Sequence, residues 1–158
     1  MIQADAVIKT ALAKVGYKEG TNNDTVFGKW YGLNHQPWCA MFVSWCFDQN
    51  KLIGLINQSS KGYAGCESFE AWAIKKKMTV PVSQAQKGDI VLFDFYKSGK
   101  SEHTGLVLGI NPHTHLIDTI EGNTAGDNSG SQANGDGVYL KHRAVSTVRL
   151  VVRPKWTK

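Results

Sequence analysis

The sequence predicts an α+β domain with its helices first and its strands second, and three observations carry that prediction. Apolar residues recur at helical spacing through the first half of the chain. Short β-branched or aromatic runs, separated by turn residues, fill the second half. No internal repeat or linker interrupts either half, and segregated helices and strands are the pattern of an α+β fold. A length of 158 residues fits one domain of ordinary size, so residues 1–158 are expected to form a single unit.

The first helix rests on Ile2, Ala4, Val7, Ile8, Ala11, Leu12 and Val15, which share one face; Gly16 stops it. Glu19 to Thr25 reads as a polar loop. Pro37 then opens a second helix, Trp38 to Phe47, apolar nearly all round and therefore buried. A third is expected from about Glu67 to Lys76, where Lys75-Lys76-Lys77 suits the negative end of the helix dipole. After Pro81 the period changes. Ile90 to Tyr96, Thr104 to Ile110, Leu116 to Glu121, Val138 to His142 and Ser146 to Val152 read as strands. Gly122 to Gly137 is rich in Gly, Asn, Asp and Ser, and a loop that long in a compact domain is often functional.

Composition excludes several classes. With 42% hydrophobic and 20% charged residues the chain reads as globular rather than disordered. No run approaches the ~18 apolar residues of a membrane span. The opening MIQADAVIKTALAKVG is broken by Asp5, Lys9 and Lys14, so it does not read as a signal peptide. Three cysteines are too few for a disulfide framework, although Cys66 could pair with Cys46. The net charge of +5 favours an anionic partner, but no long Lys/Arg block points to nucleic acid. No coiled-coil pattern appears, and a monomer is expected.

The chemistry centres on Cys39, at the start of the buried helix. Free backbone N–H groups and the positive end of the dipole stabilise a thiolate there, and could hold the oxyanion of a tetrahedral intermediate. Position alone is equally compatible with a small buried hydrophobe. A nucleophilic thiol needs a base and the base an orienting group. His103 sits where the polar loop Lys97 to Glu102 meets a strand, beside Gly105, which permits close backbone approach. Asn111-Pro112-His113-Thr114 reads as a turn, and a hairpin centred near Pro112 brings Glu121 across from His103 to within a residue or two. Asn123 lies on the same strand face. Either Glu121 or Asn123 could hold the imidazole Nδ1–H. The competing reading is an exposed cross-strand ion pair of little energetic value. His113 and His115 flank a turn without a third zinc ligand, His142 ends a strand in solvent, and Asp89 reads as a turn residue before a strand.

These segments resemble those of CHAP domains, the cysteine, histidine-dependent amidohydrolase/peptidase family. The stretch from Asn34 to Cys46 resembles that family's nucleophile helix, Lys87 to Phe93 the strand before its histidine, Glu102 to Val107 its histidine motif, and Ile120 to Thr124 its third motif. Tyr17 to Gly20 and Lys29 to Gly32 also fit, so the likeness runs along nearly the whole chain in the right order.

The resemblance implies a papain-like fold of the NlpC/P60-CHAP type, with N-terminal helices packed on an antiparallel sheet. It implies hydrolysis of bacterial peptidoglycan, as an N-acetylmuramoyl-L-alanine amidase or a stem or cross-bridge endopeptidase of endolysin-like kind. Carried over residue by residue, Cys39 is nucleophile, His103 general base, Glu121 the orienting group and Asn123 a fourth polar member. Trp30, Tyr31, Trp38 and His35 are expected to line the substrate groove, although core packing suits Trp38 equally. No separate wall-binding domain fits in the chain. No cofactor is expected, and the single acid of Asn23-Asp24 makes at most a weak calcium site. The enzyme would be made in the host cytoplasm and reach the wall through a holin, lysis or a secretion system. A related reading is an NlpC/P60 endopeptidase or a secreted antibacterial effector, although the former usually orients its base with a second His. A non-enzymatic reading is a basic wall-binding module, which would need neither thiol nor base.

Overall fold

The protein is described by a computed structural model covering residues 2–127 and 130–157. Four α-helices come first: α1 Ile2–Leu12, α2 Val26–Tyr31, α3 Cys39–Gln49 and α4 Cys66–Lys75. Six strands follow: β1 Thr79–Val80, β2 Ile90–Phe93, β3 His103–Ile110, β4 Ile117–Thr124, β5 Gly137–Arg143 and β6 Val148–Val152. All strand pairs are antiparallel, in the order β1-β6-β2-β3-β4-β5. The α+β class and the helices-on-sheet arrangement are as the sequence predicts.

The expected second helix is α3, and it is buried nearly all round, from Cys39 through Ser44 and again at Cys46 and Phe47. It lies between the sheet below and α1 and α2 beside it. Its contact with β4 is close because Gly122 has no side chain: a Cβ there would stand 2.7 Å from the Trp38 ring and 2.9 Å from Phe42 Cβ. Helix α2 was not anticipated. Six residues are too few to display a helical period, and the helix is fixed instead by its ends. The Thr25 side chain accepts a hydrogen bond from the Gly28 N–H, and Gly32 closes the other end in the left-handed region, φ 91°. Its Phe27 stacks on Trp38 with ring centroids 5.4 Å apart.

Two boundaries shift. Helix α4 opens at Cys66, one residue before the expected Glu67. Strand β4 runs on through Thr124, so the polar loop spans 125–136, of which residues 128 and 129 lie outside the described residues.

Candidate active site

Cys39 is the first residue of α3, and no acidic residue stands in that helix's first turn. The thiol is 6% exposed and lines a cleft of about 360 Å³ with Pro37, Cys66, Glu67, Ser101 and Glu102. His103 opens β3, fully buried, its ring stacked 5.9 Å from Phe93 and tilted 5.7 Å from Phe95.

The hairpin is two residues out from the expected register. Leu106 pairs with Ile120 and Val107 with Thr119, with an irregularity before Gly109. Glu121 therefore lies over Gly105 rather than directly across from His103. A Cβ at position 105 would stand 2.6 Å from Glu121 Cγ, so the glycine opens the diagonal along which the carboxylate reaches the imidazole. Glu121 Oε1 lies 2.9 Å from His103 Nε2. It is this nitrogen, and not Nδ1, that meets the carboxylate; Nδ1 is left without a hydrogen-bond partner. That leaves Nδ1 as the nitrogen free to exchange a proton with the thiol.

The pair is not an exposed surface feature, since His103 and Glu121 are both fully buried. What makes a buried carboxylate tolerable is Arg143, which sequence reasoning missed. Its Nε donates to Glu121 Oε2 at 3.0 Å and its Nη2 to Oε1 at 2.5 Å. The same guanidinium reaches Gln132 and Thr124 and lies 4.8 Å over the Phe95 ring. Thr119 Oγ1 donates to Glu121 Oε2 at 2.6 Å. The available signal was strand alternation: Tyr139, Lys141 and Arg143 share one face of β5, beside the Thr119-Glu121 face of β4. Ending the strand at His142 left the arginine out.

These contacts set the charges. Burial alone would raise the Glu121 carboxyl, but Arg143 and His103 outweigh it and hold it at about 2. Burial would likewise lower His103, yet Cys39 and Glu121 raise it to about 9. For Cys39 the Cys66 thiol is the largest influence; with His103 and the Thr104 backbone it holds the nucleophile well below the usual thiol range, against burial. The result is an alternating row: thiolate, imidazolium, carboxylate, guanidinium. A Cys–His ion pair in a low-exposure cleft can attack a carbonyl carbon and return a proton to the leaving group.

The other expected residues separate. Asn123 is fully buried in the left-handed region, φ 57°, with its amide near Ala133 O at 3.4 Å and its Oδ1 unpartnered; it makes no hydrogen bond to His103. Trp38 does not line a groove. It is fully buried in the aromatic cluster, and its Nε1 donates to Glu19 Oε1 at 2.9 Å. Trp30 and Tyr31 form a half-buried edge-to-face pair at the end of α2, held by Lys61 and Ser59, outside the residues that line the Cys39 cleft. His35 is exposed, φ 67°, and bonds to Asn22 O through Nδ1 at 2.9 Å, also away from that cleft.

At the weak calcium position Asp24 spends its carboxylate on Asn34 at 2.7 Å and Lys29 at 3.4 Å. Among the described residues no group of three or more His, Cys, Asp or Glu converges on a point where a metal could sit. Asp89 is a buried turn residue that accepts from the Gln86 N–H and pairs with Arg153. His142 is exposed, as expected, and pairs at 2.6 Å with Asp118. A larger cleft of about 680 Å³, between Lys18, Gly126, Asp136 and Tyr139, does not include Cys39.

A family model described as the CHAP domain matches residues 30–123, the segment that carries Cys39, His103, Glu121 and Asn123. No curated protein and no solved structure matches the chain.

Proposed function

We propose, because the chain belongs to the CHAP domain family of peptidoglycan hydrolases, that it is a cysteine hydrolase cutting amide bonds in the wall with Cys39 as nucleophile and His103 as acid and base. The observation that carries this reading is the buried row from Cys39 through His103 and Glu121 to Arg143. A structural histidine has no need of two neighbours that both keep it charged.

In this reading the Cys39 thiolate attacks the amide carbon, and the oxyanion takes hydrogen bonds from the free N–H groups at the start of α3. His103, protonated through Nδ1, gives its proton to the leaving amine. It then draws one from water, which releases the acyl group as the carboxylic acid. Glu121 holds the ring through Nε2 and stabilises its charge. Arg143 holds Glu121 ionised. Asn123, with its unpartnered Oδ1, is the fourth polar member. A carboxylate as the group beyond the histidine supports the CHAP chemistry over a site with a second histidine.

The scissile bond is either the N-acetylmuramoyl-L-alanine amide or one within the stem or cross-bridge peptides. The catalytic domain is endolysin-like and monomeric, takes neither nucleic acid nor cofactor, and reaches the wall after release by a holin, lysis or secretion. Trp30 and Tyr31 remain its aromatic contacts, set apart from the cleft. The +5 charge draws it to an anionic wall, an attraction that weakens in salt.

Turbidity of purified cell walls tests this. Cys39→Ala should leave turbidity at its starting value while retaining the parent's circular dichroism. Lysis by the variant at the parent's rate would overturn the assignment. Mass spectrometry of the parent's digest then divides the substrates: new free L-Ala amino groups mean amidase, new ends within the peptides mean endopeptidase.

A further inference from the structure

Amide hydrolysis by one thiol has no use for a second, yet two thiols share the cleft. Cys39 opens α3 and Cys66 opens α4, and both line the same 360 Å³ cavity at 6% and 8% exposure. Each thiol acts on the protonation of the other, and neither is in a disulfide. The third cysteine has a different situation. Cys46 is fully buried in the core, where desolvation pushes its thiol up. The sequence left open a pairing of Cys66 with Cys46; the thiol that shares its cleft is the nucleophile.

The two sulfurs also differ in protonation. Cys39 is held as thiolate, whereas Cys66 is held as thiol, first by the adjacent Cys39 and then by burial. A thiolate is the form that a peroxide oxidises. Oxidation to a neutral sulfenic acid removes the negative charge that most strongly keeps Cys66 protonated, just when Cys66 must ionise to attack. Each helix start further favours an anionic sulfur.

We propose that Cys39 and Cys66 are a reversible redox pair, closing to a disulfide when the enzyme meets a peroxide and so switching the nucleophile off while sparing it from irreversible oxidation. In the first step the Cys39 thiolate attacks one peroxide oxygen and the O–O bond breaks. Cys39 becomes S–OH, and the departing hydroxide takes a proton to form water. In the second, Cys66 loses its proton and attacks the Cys39 sulfur. The S–O bond breaks, and hydroxide leaves with the Cys66 proton as a second water. Two thiols are oxidised by two electrons and one hydrogen peroxide is reduced to two waters. A dithiol reverses the change by exchange through a mixed disulfide.

The pair rests on the nucleophile assignment for its effect on activity, so the test reads the bond itself as well as lysis. The full chain is treated with hydrogen peroxide, quenched with iodoacetamide, digested without reductant and examined by mass spectrometry. A peptide joining Cys39 to Cys66 is expected, with lysis lost and then recovered on adding dithiothreitol. In Cys66→Ser the same treatment should carry Cys39 to sulfinic acid, and dithiothreitol should restore nothing. Should that variant not fold, Cys46→Ser serves instead and must still form the Cys39–Cys66 peptide. Cys39 passing to sulfinic acid in the parent while Cys66 stays alkylatable would overturn the proposal, as would a Cys46–Cys66 peptide. A cross-link in a protein that never lysed walls would overturn the proposed function and leave the redox pair standing.

Discussion

Alternate residues of β4 are equally buried and chemically opposite. Ile120 and Gly122 lie under α3, where Ile120 joins the main apolar core and Gly122 meets Trp38 and Phe42. Thr119, Glu121 and Asn123 point the other way, and each is fully buried too. Alternation of this kind ordinarily marks one face packed and one solvated. Here the polar face is covered by Phe93, Phe95 and Arg143, and the two rings also flank His103. The difference teaches where the charge of the site is held. The α3 face is stabilised by removing apolar surface from water, the other by mutual compensation of ions that burial would otherwise neutralise. The faces should therefore fail differently.

The largest effect is expected from breaking the compensation. Arg143→Met keeps much of the side chain's bulk over Phe95 but leaves Glu121 with a single charged partner. Removal of one member of a buried ion pair costs about 3–5 kcal/mol, and urea unfolding should register a loss of that size. The lysis profile should change as well. Without the guanidinium Glu121 is easier to protonate, so the acid fall in activity, where the carboxylate releases the imidazole, should begin at higher pH than in the parent. A stable variant with the parent's pH profile would show that Arg143 is only packing.

Acid should act on the same face. The Glu121 carboxyl sits at about 2 when folded against an ordinary 4.5, a displacement worth about 3 kcal/mol. A lowered carboxyl stabilises fully above the unfolded value, and that contribution disappears as pH falls from 4.5 through about 2. The parent should lose that much more stability than Glu121→Gln over this interval, measured by denaturant midpoints at each pH. Parallel curves would mean the carboxylate gains nothing from its partners. His103 has the opposite sign. Raised from 6.5 to about 9, it contributes fully below 6.5 and loses that contribution as pH rises through about 9.

The two faces were unequally legible in the sequence. The helix α3, the five longer strands and the apolar positions follow a repeating period, and each was anticipated to within a few residues; the two-residue β1, too short to show a period, was not. Cys39, His103 and Glu121 could be grouped because a single turn at Asn111-Pro112 folds one strand back on the other. The register came out two residues off because the connection extends to Leu116, whose carbonyl accepts from Asn111, and because pairing slips near Gly109. Arg143 was hidden for a different reason. It reaches Glu121 from a separate strand after the 125–136 loop, so alternation along β5 gives its face but not its partner 22 residues away. Trp38 shows the converse: an aromatic beside the nucleophile in sequence points into the core, since Phe27 of the unanticipated α2 stacks on it. Cys66 likewise met its partner only through the placing of two helix starts.

A smaller effect is expected at the glycine that lets the ionic face assemble. In Gly105→Ala the new methyl would meet Glu121 Cγ at 2.6 Å and the Ile120 carbonyl at 3.0 Å. Overpacking of this kind costs roughly 1–3 kcal/mol. The carboxylate must swing away, so the Nε2 bond to His103 lengthens and activity should fall by more than the stability loss explains. Retained activity in a destabilised protein would mean Glu121 has another route to the ring.

The smallest change belongs to the apolar face, and it separates the two mechanisms most cleanly. Ile120 sits between Glu121 and Thr119 in sequence, yet its side chain packs with Leu106 and α3. Ile120→Val removes one methylene from that core and should cost about 0.5–1.5 kcal/mol. It alters no charge, donor or acceptor within reach of His103. Its stability loss should be constant from pH 3 to pH 9, and its lysis profile should superimpose on the parent's once scaled for folded protein. The adjacent Glu121→Gln should differ from the parent most in the middle of that range and least toward its ends, where Glu121 and His103 titrate. If Ile120→Val also moved the acid limb, the faces of β4 would be coupled through the strand backbone, and the division of labour between them would fall.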